Sequence, residues 1–398
     1  MNSSHTDTKL ISFLNGDAFS DGNEMEVKIG TMSAFLPPFD KGIDTIKRIE
    51  NAGYDSAWWP DHLMGWVPES IWTPDIIEIA AYQENPHVFF ETCCTLAVAA
   101  WNTEKILLGP SVTEAFRRHP AMLAQTFLTL DHISKGRVIL GIGTGEGENI
   151  IPYGIKWNKP ASRLEESIKI IKLLWESHKK VDYDGKFWKM KDAVLGLKPY
   201  EKGKYPPIWI AAHGTKMLEI TGRLGDGWLP ATPDIEFYKE GLRTIRETAK
   251  KAGRNLDEIT PALWSYTVLD EDHDECLRML ETPLAKNYML TLPNEVYERY
   301  GIHHPLGKDF YGLLDYIPTR YNREEILNAL EKIPRKICED YYLYGTPDEV
   351  IGKIEKFSKV GMKHVVLSNM TFFFDVNKLR SSFNCMKKIV EYFKSMRT

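Results

Sequence analysis

The feature that most constrains the fold is a repeated alternation of short apolar runs and amphipathic helical patterns, which begins at Lys28. Such alternation is typical of parallel βα units. Eight strands are predicted, at 28–35, 56–62, 106–113, 138–146, 207–214, 226–232, 261–269 and 364–370. Eight is the strand number of a closed (β/α)8 barrel, and a chain of 398 residues can hold one such barrel with insertions.

Helical periodicity fills the intervals between the strands. The pattern IDTIKRIENAG (43–53) ends at Gly53, PAMLAQTFLTLDHI (120–133) begins at a proline, and SRLEESIKIIKLLWESH (162–178) spaces its apolar residues by three and four. Two segments interrupt this rhythm: 181–195, where an Asp-Gly turn predicts a hairpin, and 282–345, a long aromatic insertion typical of a lid or binding loop. We therefore predict one barrel domain over 27–398, preceded by a flexible polar tail over 1–26.

Charge and cysteine content restrict the partners of the protein. A net charge of −5 without a basic stripe argues against a nucleic-acid binder. The longest apolar segment, VFFETCCTLAVAAW (88–101), is too short for a membrane span and contains Glu91, and LISFL is too short for a secretory signal. Five cysteines without Cys-x-x-Cys spacing predict reduced thiols in the cytoplasm and no metal. His303-His304 is interpreted as part of a solvated loop, and the expected partners are a small-molecule substrate and a second copy of the chain.

Polar residues follow several predicted strands at their carboxyl ends, where barrel enzymes place their sites. They are Asp61 and His62, Ser111 and Thr113, Thr144 and Glu146, and His213. The run GIGTGEG (141–147) lacks both the G-x-G-x-x-G spacing and a Walker lysine, so it favours either a flat heterocycle against the backbone or a tight barrel corner. The run AAHGT opens a helix that either binds phosphate or is capped by its own threonine. Trp58 and Trp59 are predicted to pack in the core.

Six motifs resemble the luciferase-like family of flavin- and deazaflavin-dependent oxidoreductases, in particular its branch that uses coenzyme F420. They are DHLMGW, LLGPSV, RRHPAMLAQTFLTLD, GRVILGIGTGE, WIAAHG and GRLGDGW. Longer stretches, including GIGTGEGENIIPYGIKWNKPASRLEESI and RYGIHHPLGKDF, are similar to phthiodiolone ketoreductase-like proteins, whereas DHxxxW and GTGExxN also occur in F420-dependent glucose-6-phosphate dehydrogenases. The resemblance covers about 27–370.

This resemblance implies a (β/α)8 barrel, usually dimeric, with F420 (or FMN as the alternative) at the carboxyl face. By matching position, Asp61 is expected to hydrogen-bond the cofactor ring, and the Ser111–Val112 peptide is expected to form a cis bulge beneath it. The remaining expected cofactor contacts are Thr113, Thr144, Gly145, Asn149, His213, Gly214, Lys216 and Met217.

The same resemblance implies a catalytic set of three residues. His62 is expected to protonate a nascent alkoxide, or to act as the base in the reverse direction, since an imidazole serves both roles at neutral pH. Trp66 is expected to fix the imidazole, and Glu146 to manage the proton on the cofactor ring. ATPDIEF follows strand six without a lysine, which argues against a sugar-phosphate substrate. The predicted activity is F420-dependent hydride transfer with a carbonyl or alcohol; the alternatives are a methylenetetrahydromethanopterin reductase, an FMN-dependent monooxygenase, and a non-catalytic cofactor-binding protein.

Overall fold

A computed structural model describes residues 26–397 except Ala34 and Pro233. The predicted tail, 1–26, lies outside the described residues apart from Glu26. The described strands are β1 Lys28–Met32, β2 Ser56–Trp59, β3 Leu107–Pro110, β4 Thr113–Glu114, β5 Leu140–Gly143, β6 Val181–Asp184, β7 Lys189–Ala193, β8 Ile208–Ile210, β9 Gly227–Trp228, β10 Thr260–Leu269, β11 Leu343–Gly345 and β12 His364–Asn369. Each of the eight predicted strands contains one of these.

The helices lie between and around the strands. They are α1 Phe39–Ala52, α2 Thr92–Trp101, α3 Pro120–Ser134, α4 Pro160–Glu176, α5 Thr215–Leu224, α6 Ile235–Lys251, α7 His273–Leu280, α8 Pro283–Met289, α9 Asn294–Glu298, α10 Arg323–Glu331, α11 Arg335–Tyr341, α12 Pro347–Lys359, α13 Thr371–Phe374 and α14 Leu379–Ser395. The three helices predicted from periodicity correspond to α1, α3 and α4. As predicted, α1 ends at Gly53, which adopts the left-handed conformation that glycine tolerates best.

The main sheet is parallel and curls into a barrel. Its strands follow the order β3-β2-β1-β12-β10-β9-β8-β5-β4, and β11 pairs with the end of β10. A parallel bridge between Leu108 and Val138 joins β3 to the residues that lead into β5 and closes the circle. Because β3 and β4 both face this segment, they occupy a single strand position. The barrel therefore has eight strand positions, which confirms the predicted fold class.

Apolar residues fill two layers of the barrel. Inside it, Trp58, Ile139, Trp209 and Val366 belong to one buried cluster, and a larger cluster lies between the strands and the surrounding helices. Trp59 is also buried, so both tryptophans of the pair pack in the core as predicted. Since each strand contributes side chains to both layers, all six residues of β12 are buried.

Both interruptions of the βα rhythm form ordered structure. Strands β6 and β7 pair antiparallel at the segment where a hairpin is predicted. The insertion at 282–345 contains α8 to α11 and β11, and it shares a second apolar core with neighbouring segments. One expectation here is wrong: His304 is buried and stacks on Phe310, with ring centroids 4.2 Å apart, and only His303 is exposed. Among the described helices, none has the length and apolar character that crossing a membrane requires.

Candidate active site

A cavity of about 600 Å³ opens at the carboxyl ends of the barrel strands. Nine of the predicted site residues line it: Asp61, Trp66, Ser111, Val112, Thr144, Gly145, Glu146, Asn149 and His213. Five predicted residues lie outside the lining: His62, Thr113, Gly214, Lys216 and Met217. The cavity is thus built from the loops that the sequence identified, together with residues from the insertion.

Two glycines and a cis peptide at the strand ends form part of the cavity wall. Gly143 ends β5, and a Cβ atom there would lie 2.9 Å from Cγ2 of Val112. Gly145 has a φ of +81°, a conformation that favours glycine, and a Cβ atom there would lie 2.7 Å from Cδ1 of Ile150. The Ser111–Val112 peptide beside them is cis, as the resemblance implies. Close packing against neighbouring side chains therefore requires glycine at both positions.

Asp61 is the centre of a buried ion-pair network. Its Oδ2 lies 2.5 Å from Nη1 of Arg118 and 3.1 Å from Nη2 of Arg117. Arg117 also pairs with Glu114 at 2.6 Å, and Arg118 pairs with Glu91 at 2.5 Å. Burial alone would raise the pKa of Asp61, but the two arginines hold it below its ordinary value. Asp61 is therefore an ionised residue that fixes the loop after β3 to the loop after β2.

His62 lies behind the cavity wall, enclosed by two aromatic rings. It stacks on Phe89, with centroids 5.3 Å apart, and meets Trp66 edge to face at 5.2 Å. Its Nδ1 lies 3.1 Å from the carbonyl oxygen of Met64. Because a carbonyl oxygen only accepts hydrogen bonds, this contact places a proton on Nδ1 and leaves Nε2 to exchange protons. Nε2 in turn lies 3.4 Å from Oε2 of Glu146, which does line the cavity.

Glu148, which the sequence reading missed, is the second acid of this cluster. Its side chain is fully buried, and its Oε1 accepts a hydrogen bond from Nε1 of Trp66 at 2.7 Å. Its Oε2 has no hydrogen-bond partner among the described residues. Burial raises the pKa of Glu148 well above its usual range, and the charge of Glu146 raises it further. The protonated, neutral form of Glu148 is therefore favoured. The available sequence signal for a second acid here was the spacing Glu-Gly-Glu.

Asn149 orients the cluster through its amide. Its Oδ1 accepts hydrogen bonds from the backbone N–H groups of Leu63 (2.6 Å) and Met64 (3.1 Å). This fixes Nδ2 on the opposite side, where it lies 2.9 Å from Oε1 of Glu148 and 3.3 Å from Oε2 of Glu146. Nδ2 is also 3.2 Å from Nδ1 of His62, but its two hydrogens are accounted for by the glutamates. Asn149 thus joins the loops after β2 and β5.

The spacing of this cluster is also compatible with a bound ion. One ligand atom from each of His62, Glu146 and Glu148 lies within 4.8 Å of the others. The hydrogen bonds from Trp66 and Asn149 engage Oε1 of Glu148, whereas its Oε2 has no partner among the described residues. The same three side chains can also hold and transfer protons.

The predicted phosphate site lies at the start of α5. Gly214, at the N-cap, offers no capping side chain, so the threonine-cap alternative is wrong. His213 is exposed and reaches Ala231, and Lys216 donates from Nζ to Oγ of Ser162 at 2.7 Å. Met217 is buried within the helix. Of these residues only His213 lines the cavity.

The outer wall of the cavity comes from β10 and from the insertion, which the sequence predicted to be a lid or binding loop without naming its site residues. Its members are largely aromatic or aliphatic: Trp264, Tyr266, Tyr288, Met289, Leu292, Val296, Leu313, Leu314 and Tyr341. Aromatic residues in the long insertion were the available signal. This wall makes half of the cavity apolar, opposite the charged loops of the barrel.

A parallel barrel with a cavity of this size at the strand carboxyl ends defines a small-molecule enzyme of the α/β-barrel class. The family model for luciferase-like monooxygenases matches residues 9–364, and the chain belongs to that family. It is 36% identical over 338 residues to the phthiodiolone/phenolphthiodiolone dimycocerosates ketoreductase of Mycobacterium tuberculosis, covering 84% of this chain and 88% of the relative.

Two solved structures share the fold. An F420-dependent secondary alcohol dehydrogenase, in complex with an F420-acetone adduct, has a TM-score of 0.71 at 22% identity. The coenzyme F420-dependent tetrahydromethanopterin reductase of Methanopyrus kandleri has a TM-score of 0.70 at 25% identity. Each alignment covers 92% of this chain and 99% of the other. The predicted resemblance to this family is confirmed.

Proposed function

We propose that the protein is an F420-dependent oxidoreductase that transfers a hydride between the deazaflavin and the carbonyl or alcohol carbon of a substrate other than a sugar phosphate. The observation that carries this proposal is the His62–Glu146 contact at 3.4 Å beside the glycine-lined wall. It places a proton-exchanging group beside the strand-end backbone of the cavity, where we expect the flat redox ring to lie. The ketoreductase relative and the F420-dependent structures support the same activity.

The fit of a deazaflavin rests on features of the chain itself. Gly143, Gly145 and the Ser111–Val112 peptide line the cavity of about 600 Å³, which extends from the strand ends to the insertion. Gly143 to Gly145 and the Ser111–Val112 peptide would hold the ring, with Asp61 at its edge. When bound, the deazaflavin donates or accepts a hydride, and the protein supplies position and electrostatics.

We assign the proton chemistry to His62 and Glu146 acting as one unit. With a proton on Nδ1 of His62, the Nε2 lone pair faces Oε2 of Glu146, so one further proton between the two atoms satisfies both. Glu146 is the member that lines the cavity, so it conveys that proton between His62 and the substrate oxygen. Carbonyl reduction consumes the proton, and alcohol oxidation returns it.

Trp66 and Glu148 position this unit. Trp66 touches the imidazole and donates its indole N–H to Glu148, so neither ring can turn freely. A neutral Glu148 adds no second negative charge next to Glu146, which keeps the local charge low while the proton moves. The three residues given catalytic roles in the sequence analysis thus form a connected cluster with Glu148.

A reductase for a methylene-pterin C1 carrier is the second candidate, because the Methanopyrus kandleri structure shares both fold and length with this chain. Such a reaction needs no imidazole that exchanges a proton with an alcohol oxygen. An FMN-dependent monooxygenase is the third. Its FMN cofactor distinguishes the monooxygenase from the two F420-dependent candidates. The substrate, an alcohol or carbonyl compound as against a methylene-pterin, distinguishes those two from each other.

The cofactor is tested by titrating the purified protein with F420, FMN and the nicotinamide coenzymes, each oxidised and reduced, while following the fluorescence of its 11 tryptophans. We expect saturable quenching by F420 and much weaker responses to the others. Tight FMN binding without any response to F420 would overturn the proposal.

The reaction is tested with His62→Asn, which removes the proton-exchanging nitrogen while keeping a polar side chain. We expect alcohol oxidation with F420 to fall by about 10²- to 10⁴-fold while F420 affinity changes little. The matched control is His303→Asn, since that histidine is 69% exposed. Reduction of a methylene-pterin that survives in His62→Asn, with no alcohol oxidation in the wild type, would favour the second candidate.

We also propose that the protein forms a homodimer through α2 and α3. The sequence of α2 contains no charged residue, and the one acid of α3, Asp131, is buried, whereas α6 contains eight charged residues. Trp101 is 81% exposed and Met122 is 55% exposed on this uncharged surface. Apolar faces of this kind are typical of subunit contacts. Light scattering after size exclusion should give a dimer for the wild type and a monomer for Trp101→Glu; a monomeric wild type would refute the contact.

A further inference from the structure

Tyr266, near the carboxyl end of β10, lines the cavity with a buried hydroxyl that has no hydrogen-bond partner among the described residues. Three other buried tyrosines nearby are satisfied: the hydroxyls of Tyr297, Tyr316 and Tyr342 donate to Met289 O, Asn287 Oδ1 and Ala285 O at 2.9, 3.0 and 2.9 Å. Buried hydroxyls are normally paired, because an unpaired one loses its hydration without compensation. Of these four tyrosines, Tyr266 is the one that lines the cavity.

The ring of Tyr266 is held by its neighbours. It contacts Trp264 edge to face at 4.6 Å, Tyr288 at 5.0 Å and Trp66 edge to face at 6.3 Å, all measured between ring centroids. Three surrounding rings restrict rotation of the phenol. The hydroxyl therefore has a defined position rather than one that adapts to any ligand.

Tyr266 and the proton-exchanging unit contact the same indole. Trp66 meets His62 with ring centroids 5.2 Å apart and Tyr266 with centroids 6.3 Å apart. Burial raises the pKa of Tyr266 well above its ordinary value, and Tyr288, Glu146 and Glu148 act in the same direction. The phenol consequently remains a hydrogen-bond donor at any pH at which the protein is assayed.

The wall around Tyr266 selects against charged substrates. Trp264 beside it is apolar, and so are three other members of the cavity lining, Met289, Leu292 and Val296. The two arginines of the lining offer little to an anion deep in the cavity: Arg117 is paired with Glu114 and Asp61, and Arg299 is exposed. A carboxylate or phosphate bound beside Tyr266 would lose its hydration without gaining a cation.

We infer that the Tyr266 hydroxyl donates a hydrogen bond to the oxygen of the substrate carbonyl or alcohol, and that this substrate is neutral with a bulky apolar or aromatic group against the insertion wall. The inference rests on the proposed function and names the substrate class of that site. As the carbonyl is reduced, negative charge develops on its oxygen. Tyr266 stabilises that charge without giving up its proton, and the His62–Glu146 unit supplies the proton that completes the alcohol.

The test compares two tyrosine variants. Tyr266→Phe removes the unpaired hydroxyl and keeps the ring, so we expect kcat for 1-phenylethanol oxidation by F420 to fall by about 10²- to 10³-fold, as for loss of one donor to a developing oxyanion. Its melting temperature should not fall, because no protein hydrogen bond is lost. The control Tyr342→Phe removes the bond to Ala285 from a ring 5.8 Å from that of Tyr266. It should lower the melting temperature and leave kcat within about two-fold.

Binding without the cofactor gives an independent measurement. We expect acetophenone to quench tryptophan fluorescence with a dissociation constant at least about three-fold higher in Tyr266→Phe than in the wild type or in Tyr342→Phe, as for one lost neutral hydrogen bond. Among substrates, 1-phenylethanol should exceed lactate in kcat/KM by at least about ten-fold, since the anion must be desolvated without a partner.

Each negative result contradicts a different part of the inference. A wild type that oxidises alcohols, with Tyr266→Phe unchanged in kcat and acetophenone affinity, overturns the assignment of Tyr266, since its hydroxyl then makes no hydrogen bond to the substrate oxygen. A preference for lactate overturns the substrate class. A wild type that reduces no F420 with any alcohol overturns the proposed function, and the acetophenone comparison still decides whether Tyr266 binds a carbonyl.

Discussion

Replacing Glu148 with glutamine tests whether this buried acid is neutral in the folded protein. The sign of the resulting change in the free energy of unfolding can be predicted. Glutamine keeps the oxygen that accepts from Trp66 and Asn149, and it places an amide where Oε2 has no partner among the described residues. For an acid of ordinary pKa 4.5, staying protonated in the folded state at pH 7 costs up to about 3.4 kcal/mol relative to an unfolded chain in which it ionises. The neutral amide escapes this cost.

The sign of the pH dependence follows from the raised pKa of Glu148. Above pH 4.5 the unfolded chain loses this proton while the folded chain keeps it, so the stability of the wild type falls as pH rises towards the folded pKa. The slope is about 1.4 kcal/mol per pH unit, and the effect is absent below pH 4.5. Glu148→Gln does not titrate, so its advantage over the wild type grows with pH.

Urea denaturation between pH 4.5 and 8 measures this difference. The control is Glu69→Gln, because that carboxylate is 59% exposed; it should change the free energy of unfolding by less than about 0.5 kcal/mol at each pH. A difference between Glu148→Gln and the wild type that does not vary with pH would refute the neutral buried acid. So would a glutamine variant that becomes less stable as pH rises.

Two further substitutions test the contacts around the cluster. Trp66→Phe keeps a ring beside His62 but removes the N–H that donates to Glu148, so the free energy of unfolding should fall by about 1–2 kcal/mol in urea denaturation; an unchanged value would mean that the bond contributes nothing. Asp61→Asn leaves Arg117 and Arg118 buried beside a neutral partner and should cost about 3 kcal/mol by the same measurement. Wild-type stability in Asp61→Asn would contradict the structural role given to this ion pair.

The barrel itself could be predicted because its signals are local. Each strand is a short apolar run, and α1, α3 and α4 show helical spacing with recognisable ends such as Gly53. Parallel strands joined by helices place all their carboxyl ends on one face, so polar residues after different strands were expected to meet there. The cavity does contain Asp61, Trp66, Ser111 and Glu146.

Of the four predicted phosphate contacts, only His213 lines the cavity. His213, Gly214, Lys216 and Met217 are consecutive or nearly so, yet a helix points successive side chains in different directions. Once α5 begins at Thr215, Met217 is directed into the core and Lys216 towards Ser162. Matching positions in a sequence does not by itself specify which of them face the cavity.

The sequence by itself determined the order of strands and helices, the face on which the site lies, and the presence of an acid, an imidazole and an indole on its loops. These depend on periodicity and on contacts between residues near one another in the chain. Tertiary structure decided that Glu148 accepts from Trp66 across 82 positions and that Arg118 holds Asp61 across 57. It also decided that Tyr266 lines the cavity and that its buried hydroxyl has no hydrogen-bond partner among the described residues. The loops that meet in the tertiary structure determine which polar groups are buried and which are paired. Burial in turn raises the pKa of a carboxylic acid or a phenol.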